Sequence, residues 1–325
     1  MVYAQPATNR AVQISERQSG KLFSCVPILL CCFQLSLRSY LMQNTDSPLE
    51  KVKEKAERIS QSARGWIVPL ARFGFAAKGV VYIIIGGLAA LAAFTGGGKT
   101  TDSRGAFEEI LSRSYGKLLL GLIAVGMAAY AIWRIVQAVK DTENKGSDAK
   151  GIARRIGYAI IGVIHIGLAY SAAQLIFGSG GESRGDAASK EWTATLLAQP
   201  FGQLLIGAVG LGFVVFAVSQ FYKAYTAKFR EKLKTNEMDE KTQTFATRTG
   251  QAGLSARGIV FGIIGVFLIL AAMRSNANEA RGLSGALRAL EQQSYGQWVL
   301  GVVALGLIAY GLYMFVLARY RRIII

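Results

Sequence analysis

Histidine, cysteine and proline are scarce, and carboxylates are missing where they would matter most. The chain has one histidine, His165, and three cysteines, Cys25, Cys31 and Cys32, with no CxxC pair. That leaves neither a zinc pattern nor a disulfide framework. Six apolar blocks, at about 74–94, 116–138, 156–177, 201–222, 254–273 and 296–317, contain no Asp and no Glu. Proton- and sodium-coupled transporters ordinarily carry acidic groups inside the membrane, so their lack disfavours such coupling. No P-loop, Ser/His/Asp set or metal cluster stands elsewhere. No catalytic, cofactor-binding or metal-binding residues are therefore expected, and the chain is not read as an enzyme.

What is present is apolar and clustered. Hydrophobic residues make up 52% of the 325, with a mean hydropathy of +0.32. Each block is about 20 residues long, enough to cross a hydrocarbon core of roughly 30 Å as a helix. The blocks lack the polar stripe that a soluble helix carries every 3.6 residues, and they lack the alternation of a barrel strand. The expected fold is an all-α integral membrane protein with six transmembrane helices.

The net charge of +17 is a topology signal. Seven Lys and Arg precede or open the first span, six lie between spans two and three, eight between four and five, and three in the tail. These twenty-four face nine in the opposite loops. The positive-inside rule then puts both termini in the cytoplasm, in a multi-pass cell (inner) membrane protein. Acidic residues break up most basic clusters, so nucleic acid is not an expected partner. The expected partners are the lipid bilayer and a protein bound through the cytoplasmic helix or linkers.

Residues 1–46 are expected to be a disordered or non-native extension, with Met42 as the native start; a seventh interfacial or spanning segment is the alternative. Ser47-Pro-Leu-Glu50 then reads as a helix start, with a cap, Pro at the first helical position and Glu three after the cap. Leu49, Val52, Ala56, Ile59 and Ala63 recur at helical steps among Lys and Glu, so 47–69 is expected to be an amphipathic helix on the cytoplasmic face.

The strongest signal is repetition. Residues 114–130 match 294–310 at nine of 17 positions, including Ser-Tyr-Gly, Gly121/Gly301, Gly126/Gly306 and Tyr130/Tyr310. The glycines Gly116 and Gly296 open these two copies. The middle copy carries Gly202, Gly207, Gly212 and Phe216. The first helix of each unit repeats as well: Gly74, Gly79 and Tyr82 correspond to Gly157, Gly162 and His165, then to Gly253, Gly258 and Phe261. Three helical hairpins follow, at 70–140, 153–224 and 248–325, joined by cytoplasmic linkers at 141–152 and 225–247. An even number of spans per unit keeps the copies parallel, so a pseudo-three-fold bundle is the natural arrangement; a linear row also satisfies the sequence. Short outer helices are expected at the echo Gly105-Ala-Phe107 and Gly285-Ala-Leu287. The glycines are read as packing sites that let helices approach closely.

The recurrence of R-x-G-[FY]-A-x-x-G, at 72–79 and 155–162, with G-x4-G-x4-G-x3-[YF], resembles the bacterial membrane family called domain of unknown function 1206. The resemblance covers about residues 70–320 and implies repeated membrane helix pairs, with no activity attached. The third copy departs from it, with Gln251 in place of the arginine and Leu254 in place of the aromatic.

Four residues stand out for chemistry. His165 is an ionisable group about ten residues into a span, although its sister positions, Tyr82 and Phe261, show that the site favours a ring. Lys78 and Arg257 occupy equivalent places one turn inside spans one and five, and Arg134 lies near the inner end of span two. Near a span end such side chains snorkel to the interface, so these read as anchors, with an anion-binding cytoplasmic mouth as the alternative. The expected role is non-catalytic, structural or interaction-based. The alternative is a channel or transporter-like pathway for a small neutral or lipophilic solute.

Overall fold

A computed structural model of the chain describes residues 48–95, with side chains from Gly65 onward, then 100–140, 146, 148–178, apart from the Lys150 side chain, and 186–323. The N-terminal extension, with its three cysteines and Met42, lies outside the described residues. The compact bundle comprises Ala63–Ile325.

Nine α-helices are described. In chain order they are α1 (Pro48–Thr95), α2 (Ser103–Leu111), α3 (Gly116–Lys140), α4 (Ala149–Ile176), α5 (Asp186–Leu197), α6 (Gly202–Thr226), α7 (Glu240–Met273), α8 (Leu283–Glu291) and α9 (Gly296–Tyr320). Six of them, α1, α3, α4, α6, α7 and α9, are long and apolar enough to cross a membrane. They are the six transmembrane helices of three repeated pairs. α1 is helical over Pro48–Thr95, and the part from Gly65 on is long and apolar enough to span a membrane; the side chains of the expected amphipathic stretch before Gly65 lie outside the described residues.

The short helices α2, α5 and α8 sit at one end of the bundle. α5 has no counterpart in the Gly-Ala-Phe echo and was not foreseen. The turn from each short helix into the next span needs glycine. At Gly116, Gly202 and Gly296 a Cβ would overlap the last carbonyls of the preceding helix, and each glycine N–H closes the turn onto Arg113, Gln199 or Gln293. This is what the repeated Ser-Tyr-Gly and Pro-Phe-Gly are for.

The opposite, basic end is closed by the segment between α6 and α7. Its two 3₁₀ turns, Lys228–Lys232 and Thr235–Glu237, insert Phe229, Leu233 and Met238 as buried side chains. The tail locks this segment: the Lys234 N–H donates to Tyr320 O (2.8 Å) and the Arg322 N–H to Lys232 O (2.9 Å).

Small residues set the neighbours of each span. A Cβ on Gly74 would meet the Tyr130 backbone (α1 on α3), and one on Gly79 the Gly311 carbonyl (α1 on α9). A Cβ on Gly253 would meet Tyr310 (α7 on α9), one on Gly210 the Gly265 carbonyl (α6 on α7), and one on Gly162 Ile135 and Ala131 (α4 on α3). The spans are therefore ordered α4, α3, α1, α9, α7, α6. Every adjacency is either a pair within one repeat or the second helix of one repeat against the first helix of the next. That is the neighbour pattern of a pseudo-three-fold ring with one interface missing. α4 and α6, the two helices of the second repeat, do not pack along each other. Only 22% of the apolar window of each is buried, against 39–61% in the other four spans.

Candidate functional site

Inside the bundle the repeats bring six rings together in three like pairs. In each pair the aromatic on the second helix of one repeat meets the ring on the first helix of the next. Tyr130 packs on His165 (centroids 4.6 Å apart), Phe216 on Phe261 (5.1 Å) and Tyr310 on Tyr82 (4.7 Å). The ring at position 165 is thus one of three equivalent wedges, and His165 keeps one local bond, between Nδ1 and the Ile161 carbonyl (2.7 Å). Tyr130, Tyr310 and His165 are all buried.

Three cations lie among these rings. The Lys78 Nζ donates to the Tyr130 hydroxyl (3.3 Å) and stands 4.6 Å from the Tyr130 ring centre and 5.9 Å from that of Tyr82. The Arg134 Nε donates to the same hydroxyl (2.8 Å) and its Nη1 to Gln137 (2.9 Å). The Arg257 Nη1 donates to the Tyr310 hydroxyl (2.6 Å), with its guanidinium 4.4 Å from the Tyr310 ring, 5.1 Å from Phe261 and 5.8 Å from Tyr82. Tyr82 therefore lies between Lys78 and Arg257, and Tyr130 between Lys78 and Arg134.

The expectation that Lys78 snorkels is corrected here: it is 6% exposed and turned into the bundle. Its Nζ takes the Tyr130 hydroxyl and the faces of the Tyr130 and Tyr82 rings as partners in place of water at the surface. Arg257 is only part-buried but likewise points at Tyr310 rather than along the helix to the interface. A basic group at the centre of a span costs about 2.5–3.5 kcal/mol on the insertion scale. Cation–π contacts of about 0.5–2 kcal/mol each offset part of that. Among the described residues no carboxylate pairs with Lys78, Arg134 or Arg257, and the buried Arg257 Nε has no hydrogen-bond partner. The layer carries excess positive charge.

The glycines divide into three groups. At Gly74, Gly79, Gly126, Gly162, Gly253, Gly258, Gly301 and Gly306 a Cβ would crowd a neighbouring helix. Gly121 and Gly207 leave ordinary van der Waals room. Gly157 and Gly212, read in the sequence as packing residues, meet nothing within 4 Å among the described residues. Their counterparts form the contacts Gly74–Tyr130, Gly126–Ala77, Gly253–Tyr310 and Gly306–Ala256, so Gly157 and Gly212 mark the interface that the second repeat leaves open.

Two further contacts between repeats escaped sequence reasoning. Asp102 caps its own helix α2 by accepting from the Arg104 and Gly105 N–H groups (both 3.0 Å). The third repeat has Gly282 in that place, and the cap comes from Asp186 of the second repeat, which accepts from the Gly282 and Gly285 N–H groups (both 2.9 Å). Gln251, the departure from the arginine motif, makes the motif's bond. The Arg155 Nε donates to Ala138 O (2.7 Å) and the Gln251 Nε2 to Ala224 O (3.1 Å), each at the end of the preceding span.

Comparison with known proteins finds the same three-fold repetition. The family model described as Domain of Unknown Function (DUF1206) matches residues 73–141, 156–227 and 252–321. A Bacillus subtilis (strain 168) protein, "Uncharacterized protein YxxB", is 40% identical over 264 residues, covering 81% of this chain and 94% of that protein. No solved structure matches. With three matched copies, each enclosing one pair of membrane helices, the chain belongs to the DUF1206 family.

Proposed function

We propose that the protein is a non-catalytic component of the inner membrane, with both termini in the cytoplasm, that acts by binding rather than by conducting or converting a solute. The observation that carries this reading is the layer of six rings and three cations at the centre of the bundle, where a conducting path along the pseudo-axis would have to run. Its members touch one another at 4.4–5.9 Å, and the basic end is filled by Phe229, Leu233 and Met238. The charge asymmetry between the two sets of loops supports the orientation.

The test is flux. The protein reconstituted in vesicles should pass small neutral solutes no faster than empty liposomes do, and His165→Ala should leave this unchanged. Flux above the liposome baseline that falls with His165→Ala would favour the permeation reading. Reporter fusions to both ends should report the cytoplasm.

A further inference from the structure

We propose that Lys78, Arg134 and Arg257 form a binding site for a phosphate-bearing headgroup, reached sideways through the open interface between α4 and α6. This goes beyond the binding role proposed above by naming the chemistry bound.

Three observations support it independently. First, three cations converge on one layer inside the bundle with no carboxylate beside them among the described residues. In a low-dielectric interior such charge calls for an anion, and no carboxylate among the described residues of the layer supplies one. Second, the buried Arg257 Nε is a donor without a partner, while the Nη1 of the same side chain is tethered to Tyr310. A guanidinium held this way has a donor left for an oxyanion. Third, the opening is at the right level. By repeat register Gly157 corresponds to Gly74 and Ile161 to Lys78 on α1, one turn further along. The free faces at Gly157 and Gly212 therefore flank the cation layer, with His165 on one wall and Phe216 on the other. The wall helices present Ile156, Ile160, Val163, Val209, Leu211 and Val215 as exposed apolar side chains, a surface suited to acyl chains. Apolar walls leading to a cationic centre fit a molecule with a charged head and an apolar tail.

The experiment uses the full chain in nanodiscs. Phosphatidylglycerol and phosphatidylcholine are supplied at equal mole fraction, and the lipid retained after transfer to a non-ionic detergent is counted by native mass spectrometry. Thermal shift with inorganic phosphate is the second arm. The wild-type protein should keep phosphatidylglycerol at least tenfold over phosphatidylcholine. Arg257→Gln and Lys78→Met should each reduce that preference severalfold, while Arg257→Lys retains most of it. Gly157→Trp, which fills the opening without touching a cation, should lower lipid retention and leave any phosphate shift intact. Stabilisation by inorganic phosphate that is lost in Arg257→Gln supports the anion site with a free anion as its source, and overturns sideways access if Gly157→Trp leaves lipid retention unchanged. Equal retention of the two lipids, or a preference that persists in both Arg257→Gln and Lys78→Met while each remains monodisperse, overturns the site. Because neither arm measures solute flux, a failure here leaves the reading of a non-conducting bundle standing.

Discussion

The first and third repeats are closed pairs of helices, and the second is an open one. In the closed pairs Gly74 lies under the Tyr130 backbone and Gly253 under that of Tyr310. Gly157 stands in the same motif at the same register, yet among the described residues it has no neighbour within 4 Å. The same glycine can thus be a contact or a vacant place according to whether its partner helix is there. In lipid no hydrophobic drive forces two apolar helices together, so close packing has to be earned by shape. α4 takes its shape complement from α3, and α6 from α7. Among the described residues neither gains a partner across the second repeat, and lipid can solvate an apolar face that no helix covers.

The sharpest way to break the comparison is to add the same side chain in all three repeats. Gly74→Leu and Gly253→Leu would drive a side chain into backbone that cannot yield, and each should cost about 3 kcal/mol. Gly157→Leu should lose no more than about 0.5 kcal/mol, since it adds apolar surface facing lipid. Thermal unfolding in detergent, followed by intrinsic fluorescence, measures all three. Equal losses would mean that α4 and α6 close on each other.

A cross-link reads the same difference as distance. In a background without the three native cysteines, the Ala77→Cys/Gly126→Cys pair should oxidise readily, because these positions lie in contact between α1 and α3. The equivalent Ile160→Cys/Gly212→Cys pair in the second repeat should remain reduced under the same oxidant. Equal yields on gels would show that the opening closes on the timescale of oxidation.

Much of this architecture was legible in the residues. A span in lipid needs about 20 apolar residues and declares itself, and a glycine required by a tight turn, as at Gly116, Gly202 and Gly296, recurs because nothing else fits. The cation layer was half legible. Lys78, Arg134, Arg257 and His165 were each conspicuous, but their convergence depends on which helices are neighbours across repeats, and that is set by packing of residues far apart in the chain. Lys78 reads as an anchor in the sequence because the partner that turns it inward, Tyr130, stands on another helix 52 residues away. The open interface left no trace in the motif at all: Gly157 and Gly212 look like their sisters, and only the missing partner distinguishes them.

The outer helices offer a smaller contrast. Asp102 caps its own helix, whereas Asp186 caps α8 from another repeat. Removing an N-cap acceptor costs about 1 kcal/mol, so Asp102→Ala and Asp186→Ala should each lower stability by about that much. They should differ in where the loss appears. Hydrogen exchange should quicken at the α2 amides in Asp102→Ala, and at Gly282 and Gly285, ninety-odd residues away, in Asp186→Ala. Asp186→Asn, which keeps an acceptor oxygen, should restore most of the protection. Faster exchange confined to α5 would show that Asp186 serves only its own segment.

The smallest expected effect concerns the bond that joins consecutive repeats at the basic end. Arg155 and Gln251 occupy one motif position and donate to equivalent carbonyls, Ala138 O and Ala224 O, although one is charged and the other neutral. The last carbonyls of a helix have no partner within it, so what the position requires is a donor that reaches the preceding span. Arg155 makes a second, exposed bond from Nη2 to Val139 O (3.0 Å), so Arg155→Gln should cost about 0.5 kcal/mol, whereas Gln251→Leu should cost about 1 kcal/mol, the net worth of one hydrogen bond, and Arg155→Leu somewhat more. Denaturant unfolding in mixed micelles would resolve the order. If Arg155→Gln proves as damaging as Arg155→Leu, the charge of Arg155 matters in its own right, and the glutamine of the third repeat is a loss of function at that position rather than an equivalent solution.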